Sequence, residues 1–591
     1  MLKKILSLLL YIIIVTNVIT GCQSSNKIST KEIEKKEEHQ PITISNLNNF
    51  IKKDFLDAFE KKYPEVKLEL ISYGGMNGSG YAKYTLEHGD IADIYVTPQS
   101  FSKEAQEKYL LDLSNYNFVN YYSNILLDSL DINGSIYLLP SGYQLTGIYY
   151  NKTILKENNW EVPKSFDALV ALSEKIEKAG YQTMGHEMSL NGYPFNYFFN
   201  IGNTIYFSTP EGTQWKKDFP IGKTKAAGNN KLKKTIEYFN QWIEHEFITT
   251  EHMEKERFFE GDCVFFLCLG LDKYKNTTEE GKTYEFGTLP WLSKDGSNNM
   301  LTRTVSKYMG INKSLADKGN EQKLEDALKL LNYISTIEGQ QALMTENNQY
   351  MLSLNEIKLP EDSPYQEIIS LVNEGRTVPL LYVGWEKQII PIAQDIKKLI
   401  NREIDIDELI ELMDQTNDEL LNGSSDDIYA VVDEVLTEET CARLVAIAEG
   451  KAVDADCAIV SLNSYHGEEY FNNQGTSHYL YEGDVNTDII NIIRPRSTTI
   501  STIEMTGAEI RSMQTAGFDL DKNGNPYEYL LFTKEDMELK DNVTYKLAIS
   551  TGELSEDFIS KATETEKSPL DAIRTYLREL GHINADAIRW D

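Results

Sequence analysis

A strand, a helix and a second strand follow one another over residues 41–70, and this order constrains the fold of the chain most. Residues 41–45 form a short apolar strand pattern, and apolar side chains at helical spacing run through residues 48–63. Pro64 ends the helix, after which Val66, Leu68 and Leu70 alternate as in a strand. A strand–helix–strand unit of this length predicts an α/β protein with a parallel sheet.

Seven segments between residues 41 and 421 resemble, in matching order, those of the extracellular solute-binding proteins of ABC importers, in the carbohydrate-binding branch. They are FLDAFEKKYPEVKLEL (55–70), GDIADI (89–94), IYLLP with YYNK (136–140 and 149–152), WEVPKSF (160–166), FFEGD (258–262), FGTLP (286–290) and the helix leading into STIEGQ (327–340). The resemblance implies a two-lobed periplasmic-binding-protein-like fold with a hinge over residues 41–421. It also implies a cleft that holds a sugar, and an ABC permease as partner.

The loops that follow strands are expected to face this cleft, because ligands bind at the carboxyl ends of strands in open α/β sheets. Aromatic rings stack on the apolar faces of sugars, and the chain has 35 Tyr and 6 Trp. The predicted ligand-binding residues are Asn46, Asn48, Tyr73, Gln99, Tyr143 and Gln144, with Trp291 and Trp385 from the second lobe.

The N-terminus carries a secretion pattern. Two lysines, Lys3 and Lys4, precede an apolar run from Ile5 to Ile19, and the sequence Ile19-Thr20-Gly21-Cys22 follows. It resembles the lipobox of bacterial lipoproteins, which implies a signal peptide over 1–21, lipidation of Cys22 and a location on the extracellular face of the cytoplasmic membrane. The apolar run is shorter than the roughly 20 residues that a membrane-spanning helix needs. Residues 22–40 are almost wholly polar and predict a flexible tether.

Residues 428–591 exceed what the solute-binding resemblance covers. The stretch Met505-Thr506-Gly507-Ala508-Glu509-Ile510, with the segments around it, resembles the C-terminal domain of the 5′-nucleotidases, which predicts a separate α+β domain. The arginine-bearing nucleotide motif of that family has no clear match at residues 463–467. Two-metal phosphatases need clustered ligands, and Gly185-His186-Glu187 lacks such partners. We therefore predict a binding protein without catalytic residues or cofactors.

Several alternatives remain open at the level of sequence. A nucleoside- or nucleotide-directed protein would need basic residues in the tail, for which Arg494, Arg496 and Arg511 are the candidates, unless they are solvated surface charges. An enzyme acting on glycans or phosphoesters, or a purely structural surface protein, are further alternatives. The net charge of −33 argues against nucleic-acid binding.

One further stretch of the tail suggests a metal. Asp519, Asp521 and Asn523 match the start of a calcium loop, but its twelfth position is Leu530 rather than glutamate. A hairpin turn at Asn523-Gly524 is therefore the favoured interpretation.

Overall fold

The computed structural model describes residues 39–47, 50–73, 78–270, 281–344, 351–356, 359, 363–422, 428–461, 479–494, 499–516, 529–534, 537–550 and 561–590. The chain divides into Met1–His39 and a compact unit, Gln40–Asp591. Apart from His39, the described residues all lie in the second of these units.

The first lobe is built on a five-stranded sheet in the order β2-β1-β3-β11-β4. Strand β1 is parallel to β2 in the register Ile42↔Leu68, and it is also parallel to β3, so the predicted strand–helix–strand unit is confirmed. The strands are Ile42–Leu47, Leu68–Tyr73, Ile94–Thr97, Leu139–Pro140 (β4) and Tyr308–Ile311 (β11). The helices are α1 (Lys53–Lys62), α2 (Gly78–His88), α3 (Lys103–Tyr109), α11 (Glu321–Ile334) and α12 (Ile337–Leu343).

The second lobe has a four-stranded sheet in the order β7-β8-β6-β9. Its strands are Ile148–Asn151 (β6), Gln182–His186 (β7), Cys263–Leu267 (β8) and Phe286–Leu289 (β9). Its helices are α5 (Lys152–Glu157), α6 (Phe166–Lys178), α7 (Tyr193–Gly202), α8 (Pro210–Asp218), α9 (Asn230–Glu244), α10 (Lys255–Phe259), α13 (Ile369–Asn373), α14 (Ile389–Ile400) and α15 (Ile406–Asn422). Their apolar faces meet in one large aromatic core.

The start of α15 was predictable from four residues. The backbone N–H of Asp405 donates to the Glu408 carboxylate at 2.8 Å, and the Glu408 N–H donates back to the Asp405 carboxylate at 2.9 Å. This reciprocal pair satisfies two of the donors that a helix N-terminus otherwise leaves without a partner. An aspartate followed three residues later by a glutamate predicts such a cap at the start of a helix, and the structure confirms it at Asp405 and Glu408.

A three-stranded sheet, in the order β12-β10-β5, joins the lobes as a hinge. It contains Tyr143–Thr146 (β5), Leu301–Val305 (β10) and Thr377–Pro379 (β12), with the short helix α4 (Asn124–Leu127) beside it. Gly147 lies where β5 passes into β6, and a Cβ there would lie 2.0 Å from the Leu289 carbonyl oxygen. The chain can therefore cross between the lobes at this point only because residue 147 has no side chain.

The C-terminal segment, defined as residues 428–590, has two sheets, in the orders β15-β13-β20 and β17-β14-β18-β16-β19. The strands are Ala430–Val432 (β13), Cys457–Ser461 (β14), Gly483–Val485 (β15), Ile500–Thr506 (β16), Tyr529–Thr533 (β17), Thr544–Ser550 (β18), Thr563–Glu564 (β19) and His582–Ile583 (β20). The helices are α16 (Glu438–Ala452), α17 (Thr487–Ile493), α18 (Gly507–Ala516) and α19 (Pro569–Leu580). Its apolar side chains form a core of their own around α16 and α19.

Two predictions from the sequence differ from the structure at element boundaries. The helical pattern of residues 48–63 forms a helix that begins at Lys53. The run of residues 134–140 has the sequence pattern of a strand, but the strand formed there is Leu139–Pro140. In the second case Asn133 and Gly134 adopt positive φ, and Ile132 pairs with Ser135 in a tight turn that takes up the start of the expected strand.

Candidate functional site: a cavity between the lobes

A cavity of about 610 Å³ opens where the two lobes and the C-terminal segment approach one another. Helix α2 of the first lobe supplies Ser79, Lys83 and Tyr84, and the second lobe supplies Tyr382 and Gln388. Concave sites of this size hold small molecules, with aromatic walls for contact area and a few polar groups for orientation. The lining of this cavity has both.

Two residues of different lobes face each other across this cavity. Ser79 of the first lobe lies close enough to Tyr382 of the second to lower the pKa of Tyr382, while burial, the larger effect, raises it. Their proximity depends on how close together the two lobes lie. The site is therefore coupled to the relative position of the lobes.

The hinge presents a second group of polar and aromatic side chains. The Arg303 guanidinium of β10 donates to the carbonyl and the hydroxyl of Thr377, at 3.0 and 2.8 Å. It also lies close enough to Tyr143 and Tyr308 to oppose the rise that burial causes in their pKa values, both to about 12. Nearby on the chain, Lys307 has its Nζ 5.7 Å from the centre of the Phe50 ring, and burial lowers the pKa of this lysine.

The structure brings some of the predicted ligand residues together at the hinge and at one sheet edge. Tyr143 and Gln144 lie on β5, where they pair with Val305 and Thr304 of β10. Asn46 is the last residue but one of β1, and Gln99 follows β3, which neighbours β1 in the sheet. The backbone of Tyr73 lies at the end of β2. Their role as ligand residues stays a prediction.

Three of the predicted residues make contacts that already use their side chains. Asn46 is buried, with its carbonyl oxygen accepting from the Ile51 N–H at 2.7 Å and its amide donating to the Ile51 carbonyl at 3.2 Å. Trp291 and Trp385 are buried in the core of the second lobe. The Trp385 indole N–H donates to the Lys216 carbonyl at 2.7 Å. The positions of both rings indicate packing rather than exposure to a solute.

Sequence reasoning missed Ser79, Tyr382 and Arg303. Tyr382, which lines the cavity, lies three residues before the predicted Trp385 in the same loop. Arg303 alternates with Leu301 and Val305 on one strand face, which was a usable signal, because a charge among apolar side chains needs polar partners. Ser79 had no comparable signal.

Several predicted features lie outside the described residues. These are the lipidation site Cys22, the cleft candidate Asn48, the tail arginine Arg496 and the calcium candidates Asp519, Asp521 and Asn523. Within the described part of the chain, no group of three or more His, Cys, Asp and Glu side chains is placed to hold a metal ion. No helix among the described residues is both long and apolar enough to cross a membrane.

The two described candidate arginines of the tail, Arg494 and Arg511, both pair with carboxylates. Arg494 is buried, and its guanidinium lies 3.2 Å from the buried carboxylate of Glu449. Arg511 pairs with Asp541 and donates to the Leu539 carbonyl. Both expectations for Arg494, a phosphate ligand or a surface charge, are therefore corrected.

His186 also turns out to be a packed residue of β7 rather than part of a metal site. Its Nε2 lies 2.8 Å from the Thr249 hydroxyl, and burial lowers its pKa to about 4. Because the unfolded chain takes up a proton near pH 6.5 and the folded chain does not, the stabilisation is complete above that pH. It is lost as the pH falls towards about 4.

We expect His186 to contribute about 3 kcal/mol to the decrease in unfolding free energy between pH 6.5 and pH 4. Urea titrations across this range would measure the decrease, and His186→Gln should remove this part of it. Equal slopes for His186→Gln and the unaltered chain would contradict the assignment.

Two α/β lobes, a hinge of crossing strands and a cavity between them define the class of two-lobed binding proteins. Residues 54–361 match the family model of the bacterial extracellular solute-binding proteins. This match covers just over half of the chain, which therefore belongs to that family. The resemblance seen in the sequence is confirmed to that extent.

Two curated relatives match parts of the chain. An uncharacterized ABC transporter extracellular-binding protein of Pyrococcus horikoshii is 30% identical over 189 residues, or 30% of this chain and 44% of the relative. The multiple sugar-binding protein of Streptococcus mutans is 27% identical over 197 residues, or 31% of this chain and 45% of the relative. The chain thus spans less than half the length of the curated relatives it matches.

Solved structures share the fold at low identity. The apo form of RafE from Streptococcus pneumoniae superimposes with a TM-score of 0.51 and 17% identity, covering 64% of this chain and 98% of that one. MsmE from Bacillus subtilis, in an open conformation, gives a TM-score of 0.51 and 13% identity, covering 66% and 99%. These matches support the two-lobed fold.

Proposed function

We propose that this protein captures an extracellular sugar, most simply an oligosaccharide, and delivers it to the permease of an ABC importer. The observation that carries the proposal is the cavity between the lobes, where Ser79 of one lobe faces Tyr382 of the other. Binding proteins of this architecture close on their ligand by hinge motion. A solute held by both residues would favour the closed state.

The chemistry of the site suits a carbohydrate. Tyr382 offers a ring face for the apolar side of a sugar, and Ser79 and Lys83 offer groups that hydrogen-bond hydroxyls. The multiple sugar-binding protein of Streptococcus mutans, one of the relatives above, bears a name that agrees with this ligand class.

The proposal extends to both ends of the chain. Lipidation of Cys22 would hold the protein on the extracellular face of the cytoplasmic membrane, with residues 23–40 as the tether. The C-terminal segment would be a non-catalytic domain of the 5′-nucleotidase C-terminal type. The buried ion pair of Arg494 argues against the alternative in which this segment binds a nucleotide.

Thermal unfolding of the chain from residue 23, with and without sugars, tests the function. A bound sugar raises the unfolding midpoint by mass action. We expect a rise with at least one member of a panel of di- to heptasaccharides and none with nucleotides. A rise with nucleotides alone would overturn the proposal.

Tyr382→Ala is expected to weaken sugar binding at least about tenfold, or ~1.4 kcal/mol, because it removes a ring face from the cavity wall. Tyr382→Phe should retain most of the affinity. Tyr121, which is 50% exposed on the first lobe, gives the matched control Tyr121→Ala. Isothermal titration with the sugar that the thermal screen identifies would measure all three, and an unchanged Kd for Tyr382→Ala would exclude this wall from the site.

A further inference from the structure

One aromatic residue of the C-terminal segment, Tyr481, packs against helix α2 of the first lobe. The Tyr481 ring stacks on His88 of α2, with centroids 4.3 Å apart and planes 13° apart, and lies 4.9 Å from the Tyr84 ring. Its backbone N–H donates to the Tyr84 hydroxyl at 2.9 Å, and its own hydroxyl donates to the Asp90 carboxylate. We call these four residues the Tyr481 latch.

The same segment is joined covalently to the second lobe. Helix α15 packs against α9 and α14 of that lobe and ends at Asn422. The C-terminal segment begins a few residues later, and its first strand starts at Ala430. The segment is therefore tied to one lobe by the chain itself and to the other by the latch.

Between these two attachments, helix α17 forms part of the cavity wall. Asn486, Asp488 and Ile489 line the cavity together with α2 of the first lobe and the Tyr382 loop of the second. Helix α17 also packs directly against α2. The cavity thus has a third wall, which comes from neither lobe and is fixed to the first lobe.

We propose that the C-terminal segment is a cross-brace on the cleft, which limits how far the lobes separate and which solutes fit between them. Opening the hinge moves Asn422 away from α2, and the chain up to Ala430 can follow only within its extended reach of about 3.5 Å per residue. Opening beyond that reach requires the contacts with α2, those of the Tyr481 latch and of α17, to break. The limit on opening is independent of the ligand, whereas the limit on solutes rests on the proposed function.

Spin-label distance measurements test the limit on opening without any ligand. Labels at Lys61→Cys on α1 and Lys234→Cys on α9 report the separation of the lobes, and both positions are exposed. The native Cys263, Cys268, Cys441 and Cys457 are buried, so the labels go to the introduced sites. The chain from residue 23 is used, which retains the whole compact unit Gln40–Asp591.

In this background, Tyr481→Ala is expected to shift the ligand-free distance distribution to longer and broader values. Tyr481→Phe, which keeps the stacking, should shift it less, and Tyr121→Ala should not shift it. Hydrogen exchange of α16 shows whether the C-terminal segment remains folded. If Tyr481→Ala unfolds it, Asp90→Ala removes only the side-chain acceptor on the first lobe and gives the same test. An unchanged distribution in the folded variants would overturn the brace.

A second measurement tests the limit on solutes. Ile489→Trp enlarges the side chain on the third wall, so it should weaken maltoheptaose binding at least about fivefold more than maltose binding. Equal effects on both sugars would overturn the role of α17. If neither sugar binds the unaltered chain, the proposed function fails for malto-oligosaccharides. The distance measurement still decides whether the brace exists.

Discussion

Glu449→Gln is expected to lower the free energy of unfolding of the C-terminal segment by about 3–5 kcal/mol, because it leaves a buried guanidinium without its counter-charge. The Glu449 and Arg494 side chains are 0% and 1% exposed, and they connect α16 to the end of α17. Urea unfolding, followed by hydrogen exchange of α16, would measure the loss within the segment.

Two controls separate this effect from a general loss of charge. The double variant Glu449→Leu with Arg494→Met should be less damaging than the single one, since no buried charge remains without a partner. The exposed pair Lys53–Asp57 should matter little, so Asp57→Asn is expected to cost under about 0.5 kcal/mol. A loss below about 1 kcal/mol for Glu449→Gln would mean that water reaches Arg494.

Trp385→Ala should destabilise the second lobe by about 3–5 kcal/mol, the usual cost of removing a large aromatic ring from a core. The side chain is 1% exposed, and its ring centre lies 5.1 Å from Phe199 and 5.5 Å from Phe219. Truncation would therefore leave a cavity lined by aromatic rings and would also leave the Lys216 carbonyl without its donor. Thermal and urea unfolding of the whole chain would measure the loss.

The same site separates a packing role from a ligand-contact role. Trp385→Phe should retain part of the stability, and its sugar affinity well below the unfolding midpoint should equal that of the unaltered chain. A variant that kept its stability but lost affinity would show that the ring contacts the solute, as the sequence had suggested.

Local patterns were enough to predict much of the fold. The parallel pair β1 and β2 and the cap at Asp405 both follow from the sequence alone. Each depends on side-chain periodicity or on groups a few residues apart. The family was likewise predictable, because its segments occur in order along the chain.

The site was less predictable, since the same residue types serve packing and binding. Nothing in the sequence around Trp385 shows that its ring is directed into the core, whereas Tyr382, three residues earlier, lines the cavity. Asn46 was correctly placed at the end of a strand, yet the backbone of Ile51 uses its polar atoms. Which neighbour a side chain meets is decided by packing, which the local pattern does not encode.

The sequence by itself determined the class of this protein, its βαβ beginning and the cap at Asp405, because these follow from patterns within short stretches of chain. Only the tertiary structure decided that Ser79 meets Tyr382, that Glu449 neutralises Arg494 and that Tyr481 rests on α2. The hydrogen bond between Tyr481 and Asp90 joins residues that are 391 positions apart in the sequence. Contacts at such separation form only when whole lobes have folded and docked, so no local pattern reveals them.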